Sequence, residues 1–341
     1  MGHLATIKTS KDGILYLSKI QHKRVLIIGG AGYVGSRLVT HLAELNFQIE
    51  VFDILWFGNY LPNHLKIKKI DALNLTESQL LGFDSVIFLA GISNDPMADF
   101  SPRLNFISNL STPINVALMC KRVGVKRFIF ASSCSVYGYA PNHNMRELDK
   151  ALTETPYGLS KLASEVVLMN LASDNFSVIC LRKGTISGYS PRLRFDLLLN
   201  TMYKSAFTAG VIQVNDKDVW RPLLGISDAI KAYTNVLELN DGVSGIYNIA
   251  SNNYTIGELA LNTQQFFLES FQKKVTISIN QVSDIRNYRV DLTKAKTEIN
   301  FEPVDTPFSI LTELKNETRG IQDYNFDGYY NIKVFKKLDF K

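Results

Sequence analysis

Tyr157 and Lys161 lie four residues apart in the run Pro156-Tyr157-Gly-Leu-Ser-Lys161, so in a helix both side chains rise from one face. A phenol, with a pKa of about 10, is too high-lying a base near neutrality, but a lysine ammonium beside it stabilises the phenolate. Such a pair can carry a proton to or from a substrate hydroxyl. Upstream, Phe128-Ile-Phe-Ala-Ser-Ser-Cys-Ser-Val-Tyr-Gly138 ends an apolar run in a cluster of hydroxyls, of which Ser133 is expected to hold the substrate oxygen. Tyr and Lys are common on helix surfaces, so the spacing acquires meaning only from its company.

That company begins with Arg24-Val-Leu-Ile-Ile-Gly-Gly-Ala-Gly-Tyr-Val-Gly-Ser36. Gly29, Gly32 and Gly35 stand as Gly-x-x-Gly-x-x-Gly after a strand pattern and at the opening of a helix, with Tyr33 and Val34 between them. Glycines there permit a tight turn and close backbone approach, so the helix N-terminus can hold a pyrophosphate. The next strand pattern ends in Asp53, whose carboxylate suits the two hydroxyls of an adenosine ribose and repels a 2′-phosphate, favouring NAD over NADP. A helix-capping Asp is the plainer alternative. Asp71 and Ala72 follow the third strand pattern and Ala90 and Gly91 the fourth, where adenine and ribose would run. With NAD in place, Tyr157 can take a proton as the hydride leaves, and Lys161 can anchor the nicotinamide ribose.

These residues need a frame that brings strand ends together. Val25–Gly29, Ile49–Asp53, Ile67–Ile70, Ser85–Leu89, Phe128–Ser132 and Val178–Leu181 read as strands, largely apolar and separated by helices. Tyr33–Leu45, Asn105–Arg122 and Tyr157–Ala172 keep apolar residues on one stripe. The fold class is α/β, a doubly wound parallel sheet of Rossmann type with a smaller C-terminal α/β part for substrate. Residues 1–22 form an N-terminal extension, 23–184 the NAD-binding domain, and 185–341 mainly the substrate part, with segments returning to the first. The pattern leaves 322–341 unassigned.

Composition narrows the partners. With 341 residues, 46% of them hydrophobic, the chain can bury a large core as one large or two modest domains. The net charge of +5 is spread without blocks, which fits an anionic small molecule and no nucleic acid. No window approaches a membrane span, and no secretory h-region occurs near the N-terminus. Cys120, Cys134 and Cys180 show no metal or disulfide spacing, so a reducing, cytoplasmic setting is expected.

With Gly29, Gly32, Gly35, Asp53, the Ser133 strand end and Tyr157-x-x-x-Lys161 together, the sequence resembles the extended short-chain dehydrogenase/reductase superfamily, in its NAD-dependent epimerase/dehydratase branch. The resemblance runs from Arg24 to about Pro303. It implies a seven-stranded Rossmann sheet, Ser133, Tyr157 and Lys161 as catalytic, and Asn109, Asp71 and Ala90 among the cofactor contacts. It also implies a homodimer paired through the two long helices, and a nucleoside-diphosphate sugar oxidised at C4.

The fate of the 4-keto sugar separates the branches. The 4,6-dehydratases follow the catalytic Ser/Thr with Asp-Glu; here Cys134 and Ser135 follow, and neither replaces that acid-base pair. The arrangement is similar instead to 4-epimerases. Ser190-Pro-Arg-Leu-Arg-Phe-Asp-Leu-Leu-Leu-Asn200 also resembles enzymes of capsule and lipopolysaccharide synthesis, including C4 dehydrogenases, so net oxidation or reduction is the alternative. Thr185 stands where epimerases often have a diphosphate-binding Asn, and Gly225 where the family usually has His. Arg192, Arg194, Arg221 and Arg286 suit a diphosphate, though surface ion pairing explains an arginine as readily. Asn200 is read as a phosphate or base contact in competition with a capping role, and Cys134 as a small residue lining the sugar pocket. A non-catalytic NAD sensor is a third reading, disfavoured because Tyr157 and Lys161 are both present.

Overall fold

Strands β1 (Arg24–Ile28), β2 (Gln48–Asp53), β3 (Ile67–Lys69), β4 (Ser85–Phe88), β5 (Arg127–Ser133), β6 (Ser177–Lys183) and β7 (Gly245–Ile249) pair in parallel in the order β7-β6-β5-β4-β1-β2-β3. The computed structural model describes residues 23–280 and 286–338; the N-terminal extension, residues 1–22, and the first two residues of the Asp284–Asp291 run lie outside the described residues. Every residue of β4 and β5 is buried, as a sheet covered on both faces requires. The chain moves outward from β1 to β3, then returns to place β4 on β1's other side. The crevice between β1 and β4 is therefore a topological switch point, where doubly wound sheets bind ligands.

The six strands expected from the sequence form with ends shifted by one or two residues. β7 has no sequence counterpart; it lies past the end of the regular alternation and joins β6 after a long excursion. Helix α1 (Tyr33–Glu44) opens at the glycine turn. The expected helix Asn105–Arg122 is not continuous: Pro102–Phe106 leads into a widened π turn at Ile107–Ser111, then α2 (Thr112–Arg122). Pro113 explains the break. In a regular helix its ring would meet the Asn109 carbonyl four residues back, and it has no N–H to donate. The chain widens instead, Thr112 N–H donating five residues back to Ile107 O, and the Asn109 carbonyl takes the Ser164 hydroxyl at 2.5 Å.

Helix α3 (Pro156–Leu171) starts one residue before the expected Tyr157, because Thr155 caps it, accepting from Gly158 N, and Pro156 fits the first turn. Its inner face carries Tyr157, Lys161 and Glu165 at intervals of four. Glu165 and Arg182 of β6 form a buried ion pair at 2.7 Å, with side chains 1% and 4% exposed. Glu165 also accepts from Ser132 of β5, and Arg182 reaches the Tyr137 hydroxyl at 2.8 Å. One charge pair thus fastens α3 across β5 and β6.

The later half has its own aromatic-rich core among helices Leu198–Ala209, Ile256–Phe271 and Pro307–Glu317. Helix Ile226–Glu238, by contrast, packs on α1, and β7 completes the first sheet. The last described helix, Asn331–Lys337, returns to the crevice: Phe335 is fully buried beside Ile92, Met97 and Tyr157. No helix among the described residues is long and apolar enough to cross a membrane.

Removing one charge of the Glu165–Arg182 pair leaves the other buried without its partner, which typically costs about 3–5 kcal/mol. Glu165→Gln is expected to lower the urea midpoint accordingly at unchanged slope. A loss under about 1 kcal/mol would show that the pair does not hold α3.

Candidate active site

The glycine turn, the ends of β1, β2, β4, β5 and β6, and the later half enclose one crevice of about 610 Å³. At its first end Gly29 has φ +85°, and its N–H donates to Phe52 O at 2.7 Å. A Cβ there would lie 2.4 Å from Ala90 N, so only glycine lets β1 and β4 end side by side. Gly32, Tyr33, Val34 and Gly35 line the crevice, and no side chain caps α1. Asp53 closes β2 with both oxygens fixed: Oδ2 accepts from Ala31 N at 2.9 Å and Oδ1 from Leu55 N at 2.7 Å. Burial raises its pKa, and those two bonds and the Arg192 charge oppose the rise. Asp71, Ala72, Ala90 and Gly91 also line this end.

At the other end stand Ser133, Tyr157 and Lys161, all buried. The Ser133 hydroxyl acts on the Tyr157 phenol, and its Oγ donates to that of Ser135 at 3.1 Å. Lys161 Nζ lies 4.7 Å from the Phe130 ring centroid and 5.9 Å from that of Tyr157. Burial brings the Lys161 ammonium down to about 7, and the charge of Lys183 adds to the effect while Glu165 opposes it. Burial and Asp95 push the Tyr157 phenol up, against the Ser133 hydrogen bond. Desolvation dominates both groups.

Behind this end Asn105 donates to Pro156 O at 2.8 Å, and Asn109 donates to Asn105 Oδ1 at 2.7 Å and to Ile92 O at 2.9 Å. Asn109 has no accessible surface, and its Oδ1 faces Gly91, where a Cβ would come within 2.2 Å. It supports the Gly91–Ile92 turn from behind and is not itself exposed to a cofactor.

Of the residues read as substrate contacts, Ser135, Thr185, Arg192, Arg194, Arg221 and Arg286 line the crevice. Two do not. Cys134 is fully buried, its Sγ donating to Arg182 O at 3.0 Å and packing with Tyr137 and Tyr288. The turn Cys134–Tyr137 sends it inward between the two outward serines. Asn200, also without accessible surface, binds Gly188 N and O and Arg194 O, and so pins the 188–194 loop. Gly225, at the family's usual His position, has no room for a side chain: its Cβ would lie 2.0 Å from Asp305 Oδ2.

The structure also brings in residues that the sequence reading missed. Asp95 lines the crevice and accepts from Arg286 Nη1 at 2.6 Å. Arg194 donates to Asp196 at 2.8 Å, and Asn331 donates to Ser93 Oγ at 2.8 Å and through its backbone to Asp196. Lys183, opposite Ser133 in register, is brought down to about 8 by burial and Arg194. Asn94-Asp95-Pro96 reads as a helix start, which it is, Asn94 accepting from Met97 N. Asn331 carried no signal, since it acts through a fold far from its sequence neighbours.

The first end fits a dinucleotide: an uncapped helix N-terminus, a glycine turn that a side chain would fill, and a fixed carboxylate at the end of β2. Residues 25–250, more than half of the chain, match the model of the NAD dependent epimerase/dehydratase family. UDP-glucose 4-epimerase 1 of Oryza sativa subsp. japonica is 30% identical over 181 residues, 47% of this chain and 50% of that protein. UDP-glucose 4-epimerase of Mycoplasma pneumoniae is 26% identical over 85% of this chain and 95% of its own. The solved structure of MoeE5 in complex with UDP-glucuronic acid and NAD superposes with a TM-score of 0.78 at 23% identity, covering 87% of this chain and 100% of that one. The chain belongs to the NAD dependent epimerase/dehydratase family, and its cofactor is NAD.

Proposed function

We propose that the protein is a nucleotide-sugar 4-epimerase, which oxidises C4 of a nucleoside-diphosphate sugar and re-reduces the 4-keto sugar on its other face. The observation that carries this is the meeting of Ser133, Tyr157 and Lys161, all buried, at one end of a crevice whose other end fits a dinucleotide. Bound NAD supplies a hydride acceptor and donor. Ser133 holds the C4 oxygen, and Tyr157 takes its proton and later returns it. Lys161 steadies the charge on Tyr157. Gly29, Gly32, Tyr33, Val34, Gly35 and Asp53, with Asp71, Ala72, Ala90 and Gly91, hold the dinucleotide. Ser135, Thr185, Arg194, Arg221 and Arg286 take the sugar and its diphosphate.

Dehydration is the less favoured outcome. Positions 134 and 135 carry no carboxylate, and the crevice carboxylates Asp95 and Asp196 are each tied to an arginine, Arg286 and Arg194. A net C4 dehydrogenase is the second reading, with keto reduction as its reverse; the placement of Arg194 and Lys183 in the crevice favours the oxidative direction, since cations beside the hydride site favour the neutral, reduced nicotinamide. Leu159, Val166 and Val167 are exposed on the outer face of α3, which supports a homodimer through α2 and α3.

Incubation with a panel of UDP-, GDP-, CDP- and dTDP-sugars, followed by product NMR and reduced-nicotinamide absorbance, is expected to yield a C4 epimer without net NADH. Accumulating NADH with a ketone would establish the second reading, and loss of water would remove both. Tyr157→Phe is expected to lower kcat by about 10²- to 10⁴-fold with little change in NADH binding; an unchanged kcat would remove Tyr157 from the chemistry, and no turnover of any of these sugars by the unaltered protein would favour the sensor class. Light scattering should give about twice 38.3 kDa, and a single-chain mass would remove the dimer.

Lys161 supplies a pH test. Its folded value near 7 lies below the ordinary 10.5, so between those values the unfolded chain binds more protons and stability rises with pH. In NAD-free protein, Lys161→Met should be the more stable form at pH 7, with the gap in urea midpoint narrowing through pH 9 and closing only as the pH reaches about 10.5. A gap that widens with pH would show that Lys161 keeps its charge at little cost.

A further inference from the structure

Arg192 and Arg194, two residues apart, serve different ends of the crevice. Arg194 is engaged at the chemical end, by Asp196 at 2.8 Å and Ser93 at 3.4 Å. Arg192 is 2% exposed, and its Nε and Nη2 meet no acceptor. Its guanidinium lies 4.1 Å from the ring centroid of Phe57, in the segment that follows Asp53. Its backbone N–H donates to Ser36 Oγ at 3.4 Å, in the first turn of α1, and its charge acts on the Asp53 carboxylate. Every one of these neighbours belongs to the dinucleotide end. Burial and the charge of Arg194 bring the guanidinium down to about 9, a measure of how poorly the protein alone compensates it.

We propose that Arg192, although it comes from the substrate half of the chain, is a phosphate ligand of the dinucleotide and not of the nucleoside-diphosphate sugar. The uncapped N-terminus of α1 offers backbone N–H groups to a phosphate from one side, and the arginine fork offers its donors from the other. Phe57 holds the guanidinium plane while those donors wait for an acceptor. The loop 188–194 that carries it is sewn to α1 by Tyr33 Oη to Gly188 O at 2.7 Å and by Ser190 Oγ to Tyr33 O at 2.6 Å. Cofactor retention then depends on a loop that lies outside the dinucleotide fingerprint.

The test measures NADH, ADP-ribose and NADPH binding to the full chain freed of nucleotide, and in parallel UDP, GDP, CDP and dTDP, taking whichever binds the unaltered protein best. In Arg192→Met the Kd for NADH and ADP-ribose is expected to rise ten- to a hundredfold, while that for the nucleoside diphosphate stays within twofold. Equal losses for NADH and NADPH assign the pyrophosphate as the group held; a loss confined to NADPH, whose 2′-phosphate NAD lacks, overturns the proposal. Unchanged NADH affinity overturns the proposal, as does a loss for the nucleoside diphosphate as large as that for NADH. Should the methionine variant not fold, Arg192→Lys keeps the cation and loses the fork, and a three- to tenfold rise confined to the dinucleotides is expected. If no nucleoside diphosphate binds the unaltered protein, the sugar-nucleotide reading fails while the dinucleotide measurements still decide the role of Arg192.

Discussion

A carboxylate and a guanidinium shut away from water, Glu165 and Arg182, hold α3 to the two central strands. Their attraction offsets a desolvation cost of several kcal/mol per ion, and it does so because the geometry is bidentate and the remaining donors are used. Glu165 also accepts from Ser132, next to Ser133 on the strand, and it lies one turn beyond Lys161 on the helix. The dry region that lowers Lys161 toward neutrality is the same region that makes the ion pair strong. The geometry and the electrostatics around Tyr157 and Lys161 therefore share one source.

What the sequence disclosed follows from what short-range pattern can carry. Six strands, three helical stripes, the glycine turn, Asp53 and the Tyr157–Lys161 face are local statements, each decided within a dozen residues. Strand β7 is different, because its place beside β6 depends on a chain that first leaves the sheet. The break at Ile107–Ser111 was written in Pro113, but an otherwise unbroken apolar stripe concealed it. Cys134 could be placed near the site by sequence, yet its direction depends on the tight turn that follows β5. Asp95 became visible only when Arg286 reached it, and Asn331 only when its helix met Ser93.

The two halves meet more closely than a division at residue 184 suggests. Helix Ile226–Glu238 packs on α1, and the loop after β6 is fixed to that same helix through Tyr33, Ser36 and Ser190. Asn200 then sets the loop's far end. The arginines therefore stand on a braced segment, positioned relative to the glycine turn before any ligand arrives.

The widened turn at Ile107–Ser111 sets helical regularity against the needs of its neighbour. A lineage that lost Pro113 could shed one residue and gain a straight helix with an unbroken ladder. The Asn109 carbonyl would then return to the helix's own bonding, Ser164 would lose its acceptor, and everything after the turn would swing about a quarter of a revolution around the axis. The apolar face of α2 would then point away from α3. An irregularity of one residue thus fixes the phase of two helices, and any drift toward the locally better helix is opposed by the packing beside it.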